Sequence, residues 1–132
     1  MIQLSEAVRH DRLNAVRDAM DAETSPAILR IYSGARPSAG AAPAGDLLVE
    51  MDFAQPSAAD AASGQLTFNG LSQGTAVETG TAAWARIVDG ADAFVADMDV
   101  SENGGGGDVQ LNTTAIVSGA PVDVLSASFS EA

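Results

Sequence analysis

The hydrophobic pattern of this chain changes its period near residues 24–26, and this change constrains the fold more than any other feature of the sequence. Before this point the apolar side chains recur with helical spacing, which predicts an amphipathic helix with Ser5 as its N-cap and Glu6 in its first turn. After it, apolar and polar residues alternate in short runs, which is typical of half-buried strands. We therefore divide the chain into an N-terminal helix or arm, residues 1–25, and a β-domain, residues 26–132.

Turn residues (Gly, Pro, Asn and Asp) separate about seven or eight strand-like runs in the second part of the chain. The clearest hairpin consists of residues 82–88 and 93–100, on either side of an Asp-Gly turn. No helical segment lies between the runs, so the parallel strands of βαβ units are not expected. The sequence predicts a mainly β fold: one domain that forms an antiparallel β-sandwich, or a barrel-like variant of it, with an N-terminal α-helix.

The residue types that most enzymes need are scarce. The chain has no Cys and no Lys, and its single histidine is His10. Nucleophilic catalysis, proton transfer and soft-metal binding depend mainly on these residue types, so we predict no catalytic residue, no metal and no cofactor. Because only 5% of the residues are aromatic, the core has to be built from aliphatic side chains and Ala. Such a core gains from burial against neighbouring subunits, which favours a homo-oligomer, most simply a trimer.

The chain is strongly acidic, with 18 acidic residues against six arginines and a formal net charge of −12. Like charge opposes the approach to nucleic acid or to an anionic membrane, so neither is predicted as a partner. The negative charge either keeps the protein soluble or complements a basic patch on a protein partner. Without a secretory signal or a long apolar segment, the protein is expected to be made in the cytoplasm and to remain soluble.

Three of the six arginines lie on the predicted helix, which is otherwise close to charge balance. Arg9 and Arg12 fall near its apolar stripe. Either their aliphatic stems cover the edge of the core, or the helix docks outside its own domain and the arginines pair with carboxylates there. We expect the helix to contribute to docking on a partner or on a neighbouring subunit. The residues predicted to contact a partner are Leu4, Val8, Arg9, Arg12, Arg17 and, in a loop, Arg36. His10 is expected to be a solvated surface residue.

Two groups of acidic residues have the spacing of a functional site, but a simpler structural explanation accounts for each of them. Residues 97–108 carry oxygen side chains at the spacing of a calcium-binding loop, but Glu102 stands where that loop requires Gly, and the preceding residues alternate like a strand. Glu50 and Asp52 share one face of a strand and could form the carboxylate pair of a small hydrolase, but alternating polarity explains them. Trp84 is expected to be a core anchor and not a ligand platform.

Two segments contain nothing that would nucleate regular structure. Arg36–Asp46 is rich in Ala, Gly and Pro, and Asn103–Gly107 includes four consecutive Gly. We expect both segments to be mobile in isolation or ordered by a neighbour.

Five stretches of the chain resemble small virion structural proteins of tailed bacteriophages. They are LRIYSGARP (Leu29–Pro37), LLVEMDF (Leu47–Phe53), GQLTFNG (Gly64–Gly70), GTAAWARIVD (Gly80–Asp89) and DVQLNTTAIVSGAPV (Asp108–Val122). These motifs are structural and turn-forming, and the resemblance transfers no catalytic residue. It implies an accessory head protein, a capsid cement or decoration protein that bridges subunits of the major capsid protein on the virion surface.

Three other functions remain open. Within the virion, the alternative is a tail or head-to-tail joining protein. Outside the virion, one alternative is a carbohydrate-binding β-sandwich module, which an aromatic-lined groove would favour. A weaker alternative is a small hydrolase that uses paired carboxylates.

Overall fold

The computed structural model describes residues 2–71 and 73–130. Within these residues the chain forms one helix and ten strands: α1 Glu6–Met20, β1 Ile28–Tyr32, β2 Leu47–Asp52, β3 Gln65–Thr67, β4 Gln73–Thr75, β5 Gly80–Thr81, β6 Trp84–Val88, β7 Phe94–Glu102, β8 Val109–Leu111, β9 Ala115–Ile116 and β10 Pro121–Ser130. The predicted mainly β fold with an N-terminal helix is therefore confirmed.

Eight of the strands form one curled sheet in the order β2-β1-β6-β7-β8-β10-β3, and β4 pairs with the beginning of β10. The remaining strands, β5 and β9, form a short two-stranded ribbon. Just after β4, the amide of Val77 donates to the carbonyl of Leu48 in β2 at 2.8 Å, so the two ends of the sheet approach each other. The result is a half-barrel around one core, and a sandwich of two packed sheets is not confirmed.

One strand pair departs from the antiparallel prediction. β7 and β8 run parallel, with Val100 opposite Val109. Only residues 103–108 connect them, whereas parallel neighbours usually need a crossover of a dozen residues or more. The chain has to reverse its direction twice within this connection, and no helix is involved.

The glycines of residues 103–107, which we call the glycine loop, make this tight return possible. Gly106 has a φ of +85°, in the left-handed region that side chains with a Cβ rarely adopt. Gly107 passes so close to β7 that a Cβ would lie 2.8 Å from the amide nitrogen of Ser101. The predicted mobile segment is thus held by contacts within its own chain.

The core is aliphatic, as the composition predicts. Strands from every part of the sheet contribute fully buried side chains to it, among them Leu29, Ile31, Leu48, Val49, Leu66, Ile87, Met98, Val109 and Leu111. The predicted hairpin is confirmed, because β6 and β7 pair antiparallel with Ala85 opposite Met98. At its turn, the carboxylate of Asp89 accepts hydrogen bonds from the amides of Ala91 and Ala93, each at 2.9 Å.

Helix α1 packs on this same core. Leu13 and Met20 are buried, and the helix contacts β3 and β7. The Ser5 hydroxyl accepts a hydrogen bond from the amide of Val8 at 3.2 Å, which confirms the predicted N-cap. The helix therefore contributes to the same folded domain as the strands. No helix within residues 2–71 and 73–130 has the length and hydrophobicity that a membrane span requires.

Candidate functional site

The outer face of β6 carries a second buried layer. All five residues of β6 are buried, although a strand has two faces. Ala85 and Ile87 belong to the main core, whereas Trp84 lies on the opposite face and is only 1% exposed. There its indole stacks on the ring of Tyr32, with 4.6 Å between the ring centres. Trp84 is a buried anchor, as predicted, but it anchors the outer layer.

A loop covers this outer layer. Residues 34–45, which we call the strap, connect β1 to β2 and lie over β6 and β7. At its base, the Ser33 amide donates to the Asp46 carbonyl and the Asp46 amide donates to the Ser33 hydroxyl, both at 3.0 Å. Three contacts hold the rest: Arg86 Nη2 to the Ala41 carbonyl at 2.7 Å, the Gly40 amide to Asp97 Oδ2 at 3.4 Å, and Arg36 Nη1 to Asp99 Oδ1 at 2.9 Å.

The ion pair of Arg86 and Asp97 is the centre of these contacts. The two side chains are 9% and 6% exposed, and the guanidinium donates to both carboxylate oxygens, at 2.7 and 3.1 Å. The guanidinium also lies 5.2 Å from the ring centres of Trp84 and Phe94. The hydrogen bond to Asp97 raises the pKa of Arg86 above the usual arginine value, although burial opposes this. Arg86 thus stays charged and holds the strap in place.

The helix arginines predicted to contact a partner are engaged within the chain. Arg17 pairs with Asp60, and Arg9 Nη1 donates to the Leu4 carbonyl at 2.6 Å. Arg12 also interacts within the chain. The structure therefore brings Arg9 and Leu4 together at the start of the helix and directs Arg17 to the β2–β3 loop.

The other two predicted contact residues differ in their surroundings. Val8 lies on the helix and is 44% exposed. Arg36 lies on the strap, far from the helix in sequence, and its partner Asp99 belongs to β7. Arg36 therefore lies on a different element from the other five predicted residues, which belong to the N-terminal segment.

The polar side of the helix holds the loop between β2 and β3. His10 Nε2 accepts a hydrogen bond from the amide of Gly64 at 3.1 Å, and Asn14 Oδ1 accepts one from the amide of Ala61 at 2.8 Å. The side chain of His10 is only 21% exposed. The prediction of a solvated His10 is therefore wrong, because the backbone of this loop uses the imidazole as an acceptor.

The acidic patterns do not assemble into sites. Within the described part of the chain, no three acidic or histidine side chains are grouped so that they could hold a metal ion. In the calcium-like series, Asp97 and Asp99 are bound by arginines. Of the possible catalytic pair, Glu50 is bound by Arg30 at 2.7 Å.

A groove of about 440 Å³ lies beside β10, between β3 and β8. Its polar groups are hydroxyls and amides. The lining residues are Gln65, Thr67, Phe68, Leu71, Gly107, Gln110, Val124, Leu125, Ser126, Ala127 and Ser128. None of these side chains titrates in the physiological range, so the groove cannot supply a general acid or base.

Two of the exposed large apolar side chains in the described chain lie together on two adjoining loops. We call residues 76–79 and 117–120 the ribbon end. Val77 is 62% exposed and Val117 is 58% exposed. This surface could not be predicted from hydrophobic periodicity, because isolated valines beside Gly, Thr and Ser give no periodic pattern. The local absence of charge was the signal that could have indicated it.

Comparisons with protein-family models, with curated proteins and with solved structures find no match to this chain. The function therefore has to be argued from the residues themselves.

Proposed function

We propose that this chain is a non-enzymatic structural protein of a tailed-bacteriophage virion, and that it acts as a capsid cement protein. In this role it binds the outside of the head and bridges subunits of the major capsid protein. The added contacts have to be broken before the shell can expand or rupture. The proposal begins from the resemblance of the five sequence stretches to small virion proteins.

One observation favours a structural role over a catalytic one: the charged side chains are engaged in ion pairs and hydrogen bonds within the chain. Every arginine interacts within the chain, and Asp97, Asp99 and Glu50 are bound by arginines. A hydrolase with two carboxylates needs both of them free to face a substrate. The groove beside β10 has no ionisable side chain at all. These charges stabilise a rigid body and leave no reactive cluster in the described chain.

The aromatic residues speak against a carbohydrate-binding module. Five of the six are at least partly buried, and Phe94, at 43% exposure, is the most accessible of them. Its ring lies against Gly40 of the strap and beside the guanidinium of Arg86. The described residues thus offer no flat aromatic surface on which a sugar ring could stack.

The acidic surface fits a protein partner that carries basic groups. Because the six arginines are occupied within the chain, its excess of 12 negative charges is left for solvent or for a partner to balance. Complementary charge accelerates encounter and selects the orientation of docking. A head surface with lysines or arginines at the binding positions would meet this requirement.

The decisive measurement is the copy number of the chain in purified virions, obtained by quantitative mass spectrometry against the major capsid protein. A cement protein on a symmetric lattice is expected at about one copy per capsid subunit or per three subunits. A handful of copies would instead support a tail or head-to-tail joining protein, and absence from virions would overturn the proposal.

Heads made without the chain provide a functional test. We expect them to release DNA at a lower temperature than complete heads, and we expect purified protein to restore their stability when it is added back. Equal release temperatures would contradict a cement role even if the protein is present in virions.

The predicted homotrimer remains a separate prediction. It is tested by sedimentation of the purified protein and by its arrangement on heads. A strict monomer in both settings would contradict it.

A further inference from the structure

We infer that the ribbon end, residues 76–79 and 117–120, is the surface with which this chain docks on the head, and that it meets an apolar patch of the major capsid protein flanked by a basic side chain. This inference rests on the proposed function. This docking surface is different from the helix arginines, which already interact with groups of their own chain.

Hydrogen bonds hold the two loops of the ribbon end against each other. The Ala76 amide donates to the Ala120 carbonyl at 2.9 Å, and the Gly119 amide donates to the Ala76 carbonyl at 2.8 Å. The Ser118 amide donates to the Thr79 hydroxyl at 3.0 Å. The two loops are therefore bound directly to each other.

Paired strands fix the ribbon end on both sides. β4 pairs with β10 before it, β5 pairs with β9 after it, and the two pairs keep the same register. The amide of Val77 also donates to the Leu48 carbonyl of β2. Side chains on such a backbone lose little conformational freedom on binding, which lowers the cost of association.

The ribbon end and the segments around it carry almost no charge. The surrounding segments, residues 73–83 and 112–122, contain a single ionisable side chain, Glu78, although the whole chain carries 24 acidic and basic residues. Charged residues are depleted in the same way at the centres of protein interfaces. Besides Glu78, the exposed groups here include the two valines and several hydroxyls and small side chains, among them Thr79, Thr81, Ala83, Ala115, Ser118 and Pro121.

The negative charge of Glu78 and of the whole chain indicates which partner binds the ribbon end. A second copy docked through the same surface would bring two Glu78 carboxylates towards each other in a chain that is already strongly negative. A neutral or basic surface avoids this repulsion and can pair with Glu78. The partner therefore presents apolar groups to the valines and a lysine or arginine to Glu78.

The experiment uses heads produced without this chain and purified full-length protein as the probe. The double variant Val77→Ser with Val117→Ser removes the apolar centre while leaving the buried core unchanged. We expect it to bind heads about tenfold more weakly or worse. The matched control is Leu125→Ser, because Leu125 is similarly exposed, at 52%, but lies on β10 outside the ribbon end. The control is expected to bind like the unmodified protein.

A second pair of variants tests the charge. Glu78→Gln is expected to weaken binding and to reduce its dependence on salt, whereas Glu23→Gln, an exposed carboxylate after the helix, is expected to do neither.

The outcomes separate the two proposals. If the unmodified protein does not bind heads, the proposed function fails, and this inference fails with it. If it binds and the double valine variant binds equally well, only the inference is overturned. If the double variant changes an oligomer into a monomer in sedimentation, the ribbon end is an interface between copies of the chain, which also overturns the inference.

Discussion

The strap and the glycine loop both cross the surface without regular structure, but they are held by different means. The strap is held by side chains of other strands, above all by Arg86 and Asp97. The glycine loop is held by uncharged side chains of the two strands that it joins: the Gly107 amide donates to the Ser101 hydroxyl at 2.9 Å and the Gly104 amide donates to Gln110 Oε1 at 3.1 Å. A change in one charged side chain can therefore release the strap while the sheet persists, whereas a change at Gly107, where the glycine loop touches β7, disturbs the β7–β8 pair itself.

The largest effect is expected from Asp97→Ala. This change leaves the buried guanidinium of Arg86 without its carboxylate, and we expect the free energy of unfolding to fall by roughly 3 kcal/mol. The strap should detach and expose Trp84, so its fluorescence should shift to longer wavelength. Urea unfolding and hydrogen exchange of residues 34–45 measure the two effects.

The control for this prediction removes both charges. In the double variant Arg86→Met with Asp97→Leu no buried charge is left unpaired, so its stability should recover most of the loss. A loss below about 0.5 kcal/mol in the single variant would show that the pair behaves like an exposed one.

A smaller effect is expected from Gly107→Ala. The new Cβ would meet the backbone of β7, at 2.8 Å from Ser101 N and 3.0 Å from Val100 C, and these atoms cannot move without loosening the strand pair. We expect a loss of roughly 2 kcal/mol in urea unfolding. Gly104→Ala is the matched control, because no atom lies within 4 Å of its Cβ and only the positive φ is unfavourable. It should cost about 1 kcal/mol, and equal losses would refute the steric argument.

Arg36→Ala tests the outermost contact of the strap and should have a smaller effect still. The side chains of Arg36 and Asp99 are 45% and 67% exposed, so solvent screens their attraction. We expect a loss of at most about 0.5 kcal/mol at low salt, which vanishes at high salt. A loss as large as that of Asp97→Ala would mean that the whole strap depends on this pair.

No effect is expected from a chelator. The glycine loop lies within the calcium-like series of residues 97–108, and hydrogen bonds and arginines already occupy its polar groups. Melting curves with and without excess chelator should coincide. A fall in melting temperature of about 10 °C or more would show that an ion stabilises this segment after all.

The sequence predicts those features that local periodicity determines. The helix with its Ser5 cap and the β6–β7 hairpin with its Asp-Gly turn are both confirmed, because each depends on residues close together in the chain. The parallel β7–β8 pair was not predicted. In sequence, the glycines of the glycine loop resemble those of a flexible linker. Only the position of Ser101 in the structure shows that Gly107 is needed for the close approach of the loop to β7.

The candidate sites were less predictable, because they depend on contacts between distant segments. The sequence identifies Arg9, Arg17 and Arg36 as cations but not the internal oxygens that bind them. Similarly, the sequence does not show that the strap lies over the face of β6 that carries Trp84. This placement depends on the pairing of β1 with β6, which is a long-range contact. The choice between one curled sheet and two packed sheets also depends on long-range pairing, since both produce the same alternation within each strand.

The placement of the helix has a practical consequence for attaching cargo to the protein. His10 is bonded to Gly64, and the adjacent Gln65 lies opposite Ser130 at the end of β10. The first turns of the helix and the last described strand residue therefore lie near each other. The ribbon end adjoins the other end of β10, roughly 30 Å away for an extended strand of ten residues. Peptides or fluorescent labels attached at either of these two positions are expected to lie far from the ribbon end and to leave the proposed docking surface uncovered.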